Sequence, residues 1–461
     1  MTLTVIHAYR FALDPTPRQV GALVRHCGAA RVAFNWGLAL VKANLAQRAA
    51  ERSYAITEEA LTPPVSWSMY SLRKRWNTVK AEVAPWWAEC SKEAYATGFD
   101  QLAHALRTWS DSKRGKRRGP RVGFPRFKSK RKANSSCRFT TGAIRLEPDR
   151  KHVTLPMLGT IKTHESTRKL HRRITDGTAR IISARVRREA GRWFCSFTVE
   201  VQRSVSAPRR PKTVIGVDLG VKTLAVFSDG RAPVENPRHY DTARRRLARL
   251  SRTVSRRHGP DRRTGTRPSK RWERANLRRN RVHHRIGNLR RDAIHKLTTS
   301  LAREYGIVVV EDLNVAGMVG NRRLARALAD AGFGEIRRQL VYKTIWHGGC
   351  LTVADRWFPS SKTCSGCQAV KPKLPLRVRT YLCEHCGLVL DRDVNAARNL
   401  AALVKRHVAG SGPETRNGCG ADRQTKPGLA GGCEASTPLR AVPAWARRGP
   451  SPSNGRIMES H

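Results

Sequence analysis

Between Cys364 and Asn399 the chain sets two kinds of chemistry side by side. Cys364-Ser365-Gly366-Cys367 is followed, fifteen residues later, by Cys383-Glu384-His385-Cys386, and then almost at once by DRDVNAARNL. C-x2-C-x15-C-x2-C is the spacing of a closed zinc ribbon, in which each knuckle supplies two thiolates to a tetrahedral ion. His385 reads as a bystander inside the second knuckle. KTCSGCQ and YLCEHCG are polar and loop-like, so four buried thiols without a metal explain them poorly. The acidic DRD that follows suggests a structural metal holding a carboxylate in place.

Two acids lie upstream. Asp218 ends the β-branched run VIGVD and is followed by Leu219-Gly220. Glu311 ends IVVVE, where burying an acid is expensive without a cation or hydrogen bonds. Asp393 stands two residues after Asp391, where a helix begins. Each has an ordinary reading alone: a turn-forming Asp, a solvated strand-end acid, and an N-capping Asp with Asn395 as a second polar contact. Together they say more. Three carboxylates on two strand ends and a helix start can converge on two divalent ions. Such a pair, ~4 Å apart, clamps a phosphodiester for in-line attack by water. Carboxylate and water ligands suit Mg2+. No histidine base is required, because the metal lowers the pKa of the water. This is RNase H-like nuclease logic, with a mixed sheet, acids at strand ends and a late helix.

The elements that must position these residues sit in a very basic chain. Its 461 residues allow about three domains. Lys and Arg number 89 against 35 acids, a formal charge of +54. That charge repels itself unless a polyanion neutralises it, and nucleic acid phosphates fit better than a membrane surface. No run of 18 apolar residues exists, so no membrane-spanning segment is expected. MTLTVIHAYRFALD alternates like a strand and lacks a signal-peptide core, so the expected location is the cytoplasm or nucleoid. Eleven cysteines in such a chain argue for metal rather than a disulfide framework. Cys27, Cys90, Cys137, Cys195 and Cys350 read as buried small hydrophobes, and Cys419 and Cys433 lie in a low-complexity tail.

Residues 4–12 read as a strand, and Thr16-Pro17 as a helix N-cap and first turn. A second apolar helical stripe spans 84–109. The basic loop 112–132, SKRGKRRGPRVGFPRFKSKRK, suits backbone and stacking contacts to nucleic acid through Phe124 and Phe127. Residues 136–203 read as strands, the clearest being a hairpin turning at Gly191-Arg192. With strand 4–12 they could close a small β-barrel. SAPRRPK marks a boundary. Residues 241–300 carry 20 Lys or Arg against four acids on a helical hairpin broken near His258-Gly259-Pro260. A helix over 335–347 and the strand LTVADRWF lead to the knuckles. The last ~55 residues lack periodicity and read as disordered.

VIGVDLGVKTLAVFSDG, VVVEDLNVAGM, RWFPSSKTCSGC and CGLVLDRDVNAARNL, in this order, resemble the TnpB family. These are the OrfB proteins of bacterial insertion sequences, related to type V CRISPR effector nucleases. YRFALDPTPRQ, AFNWGLAL and GFPRFKSKRK extend the resemblance over about residues 1–403. It implies a multidomain α+β and α/β chain. A wedge-like β-barrel (1–15 and 110–205) would hold a helical recognition domain (16–109). A RuvC-like nuclease domain (211–403) would carry the basic hairpin 241–300 and the zinc ribbon 360–390, and a disordered tail would follow (404–461). It also implies a guide RNA from the transposon end, a double-stranded DNA target beside a short motif, and no membrane. Carried over, Asp218, Glu311 and Asp393 match the Mg2+-binding triad, and Cys364, Cys367, Cys383 and Cys386 the zinc ligands. Asp391 is the runner-up for the third acid. Asp393 is preferred because it precedes Val394-Asn395-Ala396. The implied function is an RNA-guided DNA endonuclease acting in transposition or element maintenance. The rivals are a non-catalytic regulator, a transposase joining DNA ends, and a zinc-ribbon ribosome-associated protein.

Overall fold

The computed structural model describes residues 2–409 except 118, 131, 132, 134, 262 and 376, with side chains as far as residue 404. Among them two units form, 2–206 with 237–294, and 207–236 with 295–409.

In the first unit, strand β1 (Thr2–Asp14) runs into helix α1 (Pro17–Ser53) through a capping box. Thr16 Oγ1 accepts from Gln19 N at 3.4 Å, and Gln19 Oε1 accepts from Thr16 N at 3.0 Å. Two otherwise orphaned amides are thereby satisfied. Helices α2 (Met69–Val83) and α3 (Lys92–Lys113) follow. The stripe expected over 84–109 is continuous helix only from Lys92, where the Ser91 side chain caps α3. Next come strands β2 (Ser136–Phe139), β3 (Arg145–Leu146), β4 (His152–Leu155) and β5 (Gly159–Thr163), helix α4 (Arg168–Thr175), and strands β6 (Ala179–Glu189) and β7 (Arg192–Ser204). Glu189 pairs with Arg192, so the hairpin turns at Ala190-Gly191, one residue earlier than expected. Both turn residues have positive φ, 47° and 83°, as a primed two-residue turn demands.

These strands form one seven-stranded antiparallel sheet in the order β2-β6-β7-β1-β5-β4-β3. It is not the closed barrel expected from the sequence, because β2 and β3 remain its edges. The physical reason lies in the core. Phe34, Leu38, Trp76, Phe99 and Leu102 from the helices join Phe139, Val186, Phe197 and Val199 from the sheet in one buried cluster. A helical layer covers the apolar face, so closure is not needed to keep it dry. Helices α5 (His239–Ser255) and α6 (Lys270–Glu304) form the basic hairpin, joined by Leu247, Val282 and Ile286. The last turns of α6, from His295, belong to the second unit.

The second unit contains strands β8 (Arg210–Asp218), β9 (Thr223–Phe227), β10 (Val234–Glu235) and β11 (Tyr305–Glu311). Helices α7 (Val315–Gly320), α8 (Ala325–Ala331) and α9 (Phe333–Trp346) lead to strand β12 (Cys350–Ala354). The short pair β13 (Thr380–Leu382) and β14 (Val389–Asp391) precedes helix α10 (Arg392–Ala409). The sheet is mixed and five-stranded, in the order β10-β9-β8-β11-β12. β8, β11 and β12 are parallel, and β9 runs antiparallel to β8. The buried strands read as apolar runs, VIGV and IVVV, as two-sided burial requires. α10 continues to Ala409 because Leu400, Leu403 and Val404 pack on Val309 and Ala354. The segment expected to lack structure from 404 is thus helical at its start, and its remainder lies outside the described residues.

Gly216 of β8 faces α10. A Cβ there would lie 1.9 Å from the carbonyl oxygen of Ala397 and 2.7 Å from the amide of Ala401. Neither atom is the end of a flexible side chain, so the helix would have to move. Gly216→Ala is expected to cost about 2–3 kcal/mol, at the upper end of overpacking penalties. Thermal unfolding checks this, and an unchanged melting temperature would show that α10 does not rest on β8 so closely.

Candidate active site and metal centre

Val217 of β8 pairs with Val310 of the parallel strand β11. The next residue on each strand is an acid, Asp218 and Glu311. Residues at matched positions of a parallel pair point to the same face. Two carboxylates therefore leave the same end of the sheet together. Their face is the one that carries Gly216 and Val309, two residues back on each strand, and it is the face α10 covers.

The phase of α10 decides which acid joins them. Ala397, whose backbone meets Gly216, lies four residues after Asp393. Positions four apart share a helix face, so Asp393 looks toward the sheet. Asp391 does something else. Its Oδ1 accepts hydrogen bonds from the amides of Asp393, at 2.9 Å, and Val394, at 3.1 Å. That is the N-cap role, filled by Asp391 rather than Asp393. Asn395 is not a capping contact either. It is fully buried, accepts from Ser365 N at 2.9 Å and donates to Thr363 O at 2.7 Å. Asn399, also fully buried, donates to Ser360 O at 2.8 Å and to Thr363 O at 2.6 Å. These asparagines tie α10 to the loop that enters the first knuckle. The hydroxyl of buried Ser360 donates to Glu311. Sequence reasoning passed over Ser360 and Asn399. Their signal was polarity in WFPSSK and in an otherwise apolar stretch of α10.

Asp218 opens to solvent only in part. Burial, then the like charges of Glu311 and Asp393, push its carboxyl up to about 8, against a weaker pull from Arg392. Arg379 faces Asp393 at 3.6 Å. The acids are spread around the sheet end. Among the described residues, the four cysteines are the only group of three or more acids, histidines or cysteines whose ligand atoms all lie within 4.8 Å of one another. Three oxygen donors with no cysteine or histidine among them suit hard cations such as Mg2+. A cation would also offset the burial and the like charges that hold the Asp218 proton.

Cys364 Sγ lies 3.6 Å from Cys386 Sγ, and Cys367 Sγ lies 3.5 Å from Cys383 Sγ. Tetrahedral zinc with bonds of about 2.3 Å needs sulfurs ~3.8 Å apart, so the four thiols fit it closely. The two knuckles are built alike. Gln368 N donates to Cys364 O, and Gly387 N to Cys383 O, both at 3.0 Å, with φ of 70° at Gln368 and at Gly387. Backbone hydrogen bonds from Cys386 and then His385 pull the Cys383 thiol down to about 6. Cys367 accepts a lowering backbone bond from Ala369, yet the proton it shares with Cys383 pushes it up to about 12. His385 is exposed and outside the cluster.

Other expectations are met unevenly. Cys90, Cys137 and Cys195 are buried, whereas Cys27 and Cys350 are only partly so. Of the aromatics in the basic loop, Phe127 is 53% exposed, but Phe124 packs edge-on against Trp109 at 4.9 Å and is not offered to a ligand. The loop is pinned to α1: Lys128 N donates to Asn35 Oδ1 at 2.8 Å, and its ammonium lies 3.7 Å from the Phe34 ring centre.

A family model described as "Probable transposase" matches residues 196–322. A Cas12f1-like TNB domain model matches 333–400, and a helix-turn-helix domain model matches 1–49, where this chain has a strand and one long helix. A Mycobacterium tuberculosis protein named "Putative RNA-guided DNA endonuclease" is 43% identical over 453 residues, 93% of each chain. The Escherichia coli relative InsQ, named likewise, is 28% identical over 86% of this chain and 92% of its own. Among solved structures, a Cas12f1–sgRNA–target DNA complex aligns with TM-score 0.47 and 12% identity, over 86% of this chain and 99% of that one. A likeness that loose carries no argument.

Two measurements check the site. The ordinary value for Asp218 is 3.8 and its folded value about 8. The folded chain thus keeps a proton that the unfolded chain releases, and metal-free stability falls as pH rises between those values. In chelator near pH 8, Asp218→Asn should melt above wild type, and near pH 4 the two should coincide; no difference at either pH would contradict the site's electrostatics. Cys364→Ser should lose the bound zinc by elemental analysis and several kcal/mol of stability, on the order expected for a structural zinc site. A variant that stays folded with its zinc would remove the ribbon.

Proposed function

The chain belongs to the TnpB family of insertion-sequence proteins, and from that premise we propose that it is an RNA-guided DNA endonuclease cutting at Asp218, Glu311 and Asp393. One observation carries the placement of the site. Two adjacent parallel strands end in acids on one face, and Gly216 lets α10 set a third acid over them. This supports an RNase H-like arrangement of the RuvC kind. The relatives named as RNA-guided DNA endonucleases, matched over nearly their whole length, support the reaction.

Asp218, Glu311 and Asp393 would hold two Mg2+ ions, which when bound lower the pKa of the attacking water and offset charge on the phosphate. The chain's own residues do the rest. Ser360 fixes the rotamer of Glu311 by donating to it. Asp391 fixes the start of α10 and leaves the Asp393 carboxylate available. On loading, Asp218 would give up the proton that burial and its acidic neighbours hold on it. Cys364, Cys367, Cys383 and Cys386 would hold a structural Zn2+. The loop that enters their ribbon is bonded to both Glu311 and α10, so the ribbon stiffens the site from one side.

A charge of +54 supplies the backbone contacts for guide RNA and target DNA. Base pairing with the guide would read most of the target, and the protein only a short adjacent motif. The basic hairpin of α5 and α6 and the first unit's sheet and helices would hold RNA and the RNA–DNA hybrid. The place of action would be the nucleoid, with transposition or upkeep of the element as the outcome.

The test is cleavage by the protein purified with its bound RNA, on a duplex matched to that RNA. Alanine at 218, 311 or 393 should lower the rate by at least ~1,000-fold, the scale of losing a metal-held transition state. RNA and target binding should persist. Cleavage by Asp218→Ala at the wild-type rate would sink the site assignment. A wild-type protein carrying no RNA of defined sequence would favour a transposase or regulator instead.

A further inference from the structure

Trp357 is 84% exposed, more than any other large apolar side chain among the described residues. The loop that presents it is not loose. Trp357 N donates to Asp355 Oδ1 at 2.8 Å, and Phe358 N to Asp355 O at 3.1 Å. Just before Trp357 in the chain, Arg356 Nη2 donates to Asp312 Oδ2 at 2.7 Å. Just after it, the Ser360 hydroxyl donates to Glu311. Phe358 turns inward onto the cluster of Val309 and Leu400. The loop is therefore tied at both ends to two consecutive acids, Glu311 and Asp312, and holds one indole outward between the ties. Trp357 stands three positions before Ser360, so their Cα atoms are at most ~11 Å apart, and Ser360 itself touches Glu311.

The surroundings are cationic rather than apolar. Arg337 and Arg356 both pair with Asp312. Their guanidinium groups remain close to half exposed, with donors to spare. An exposed indole next in sequence to Arg356, on a loop tied to the acid that Arg337 also pairs, is a poor seat for an apolar protein face. It has the make-up of a nucleotide seat, a π-surface for a base with cations for the adjoining phosphates.

We propose that Trp357 stacks on a base of the single DNA strand being cut, close to the scissile bond, while Arg356 and Arg337, set by Asp312, hold the neighbouring phosphates. This rests on the nuclease reading of the acids. Its role is positioning: the ring fixes the strand so that the phosphate between Asp218 and Glu311 stays in line.

The experiment uses the protein with its copurified RNA and a duplex matched to that RNA. One target carries ordinary nucleotides, and a second carries abasic residues beside the cut in the strand that is cleaved. Trp357→Ala should cut the ordinary target about tenfold more slowly, the scale of one base stacked on one ring. Trp357→Phe should recover most of that rate. On the abasic target wild type should slow by a similar factor and Trp357→Ala no further. Equal rates for Trp357→Ala and wild type on the ordinary target would overturn the proposal. So would a full Trp357→Ala defect persisting on the abasic target, which would mark a structural or protein-binding role. Asp218→Ala, run alongside, separates the two claims: if it cuts, the nuclease site is wrong; if it is silent while Trp357→Ala is unimpaired, only the stacking is wrong.

Discussion

Helix α10 lies on strand β8 so closely that its backbone fills the space a side chain at 216 would need. Everything at the candidate site follows from that approach. Without it, Asp393 stands off from the sheet and Asp218 and Glu311 are two strand-end acids. With it, Asp218, partly buried, feels the charge of Asp393 as well as that of Glu311, which by itself is unfavourable. Burial first, and then the charges of Glu311 and Asp393, raise the pKa of Asp218. Like charges retained together at the end of a sheet imply a counter-charge, and oxygen ligands in that number suit divalent cations.

Holding α10 against this repulsion takes more than apolar packing. Asn395 and Asn399 are fully buried and donate to the backbone of Thr363 and Ser360, where an unpaired polar group would be costly. These bonds reach the loop that carries Cys364. A zinc ion on the four thiols would then reinforce the same loop, and through Ser360 the orientation of Glu311. Metal for folding and metal for chemistry would be coupled through a handful of hydrogen bonds.

Much of this was legible in the residues. The acid after IVVV stands out because a β-branched run predicts a buried strand, and an acid at its end needs a reason. The four cysteines stand out because their spacing encodes geometry. Thr16 and Pro17 mark a helix start through local chemistry alone. What escaped was tertiary. The strands of the first unit do not close, because α1, α2 and α3 cover their apolar face, and no local pattern reports that. The hairpin turn slid by one residue because Ala190, not an obvious turn residue, accepts a positive φ beside Gly191. Phe124 faces inward and Phe127 outward, which alternation in a basic loop cannot tell. Ser360 and Asn399 needed the fold before their partners could be seen.

The assignment of Asp393 over Asp391 depends most directly on the phase of α10, and one comparison tests it. Asp391→Asn and Asp393→Asn should be assayed side by side for cleavage of a guide-matched duplex, with melting temperatures measured on the same samples. The structure predicts an Asp393→Asn protein that is folded and inactive. It predicts an Asp391→Asn protein that still cuts, since asparagine caps a helix nearly as well as aspartate. Cleavage retained by Asp393→Asn and lost by Asp391→Asn would contradict the account.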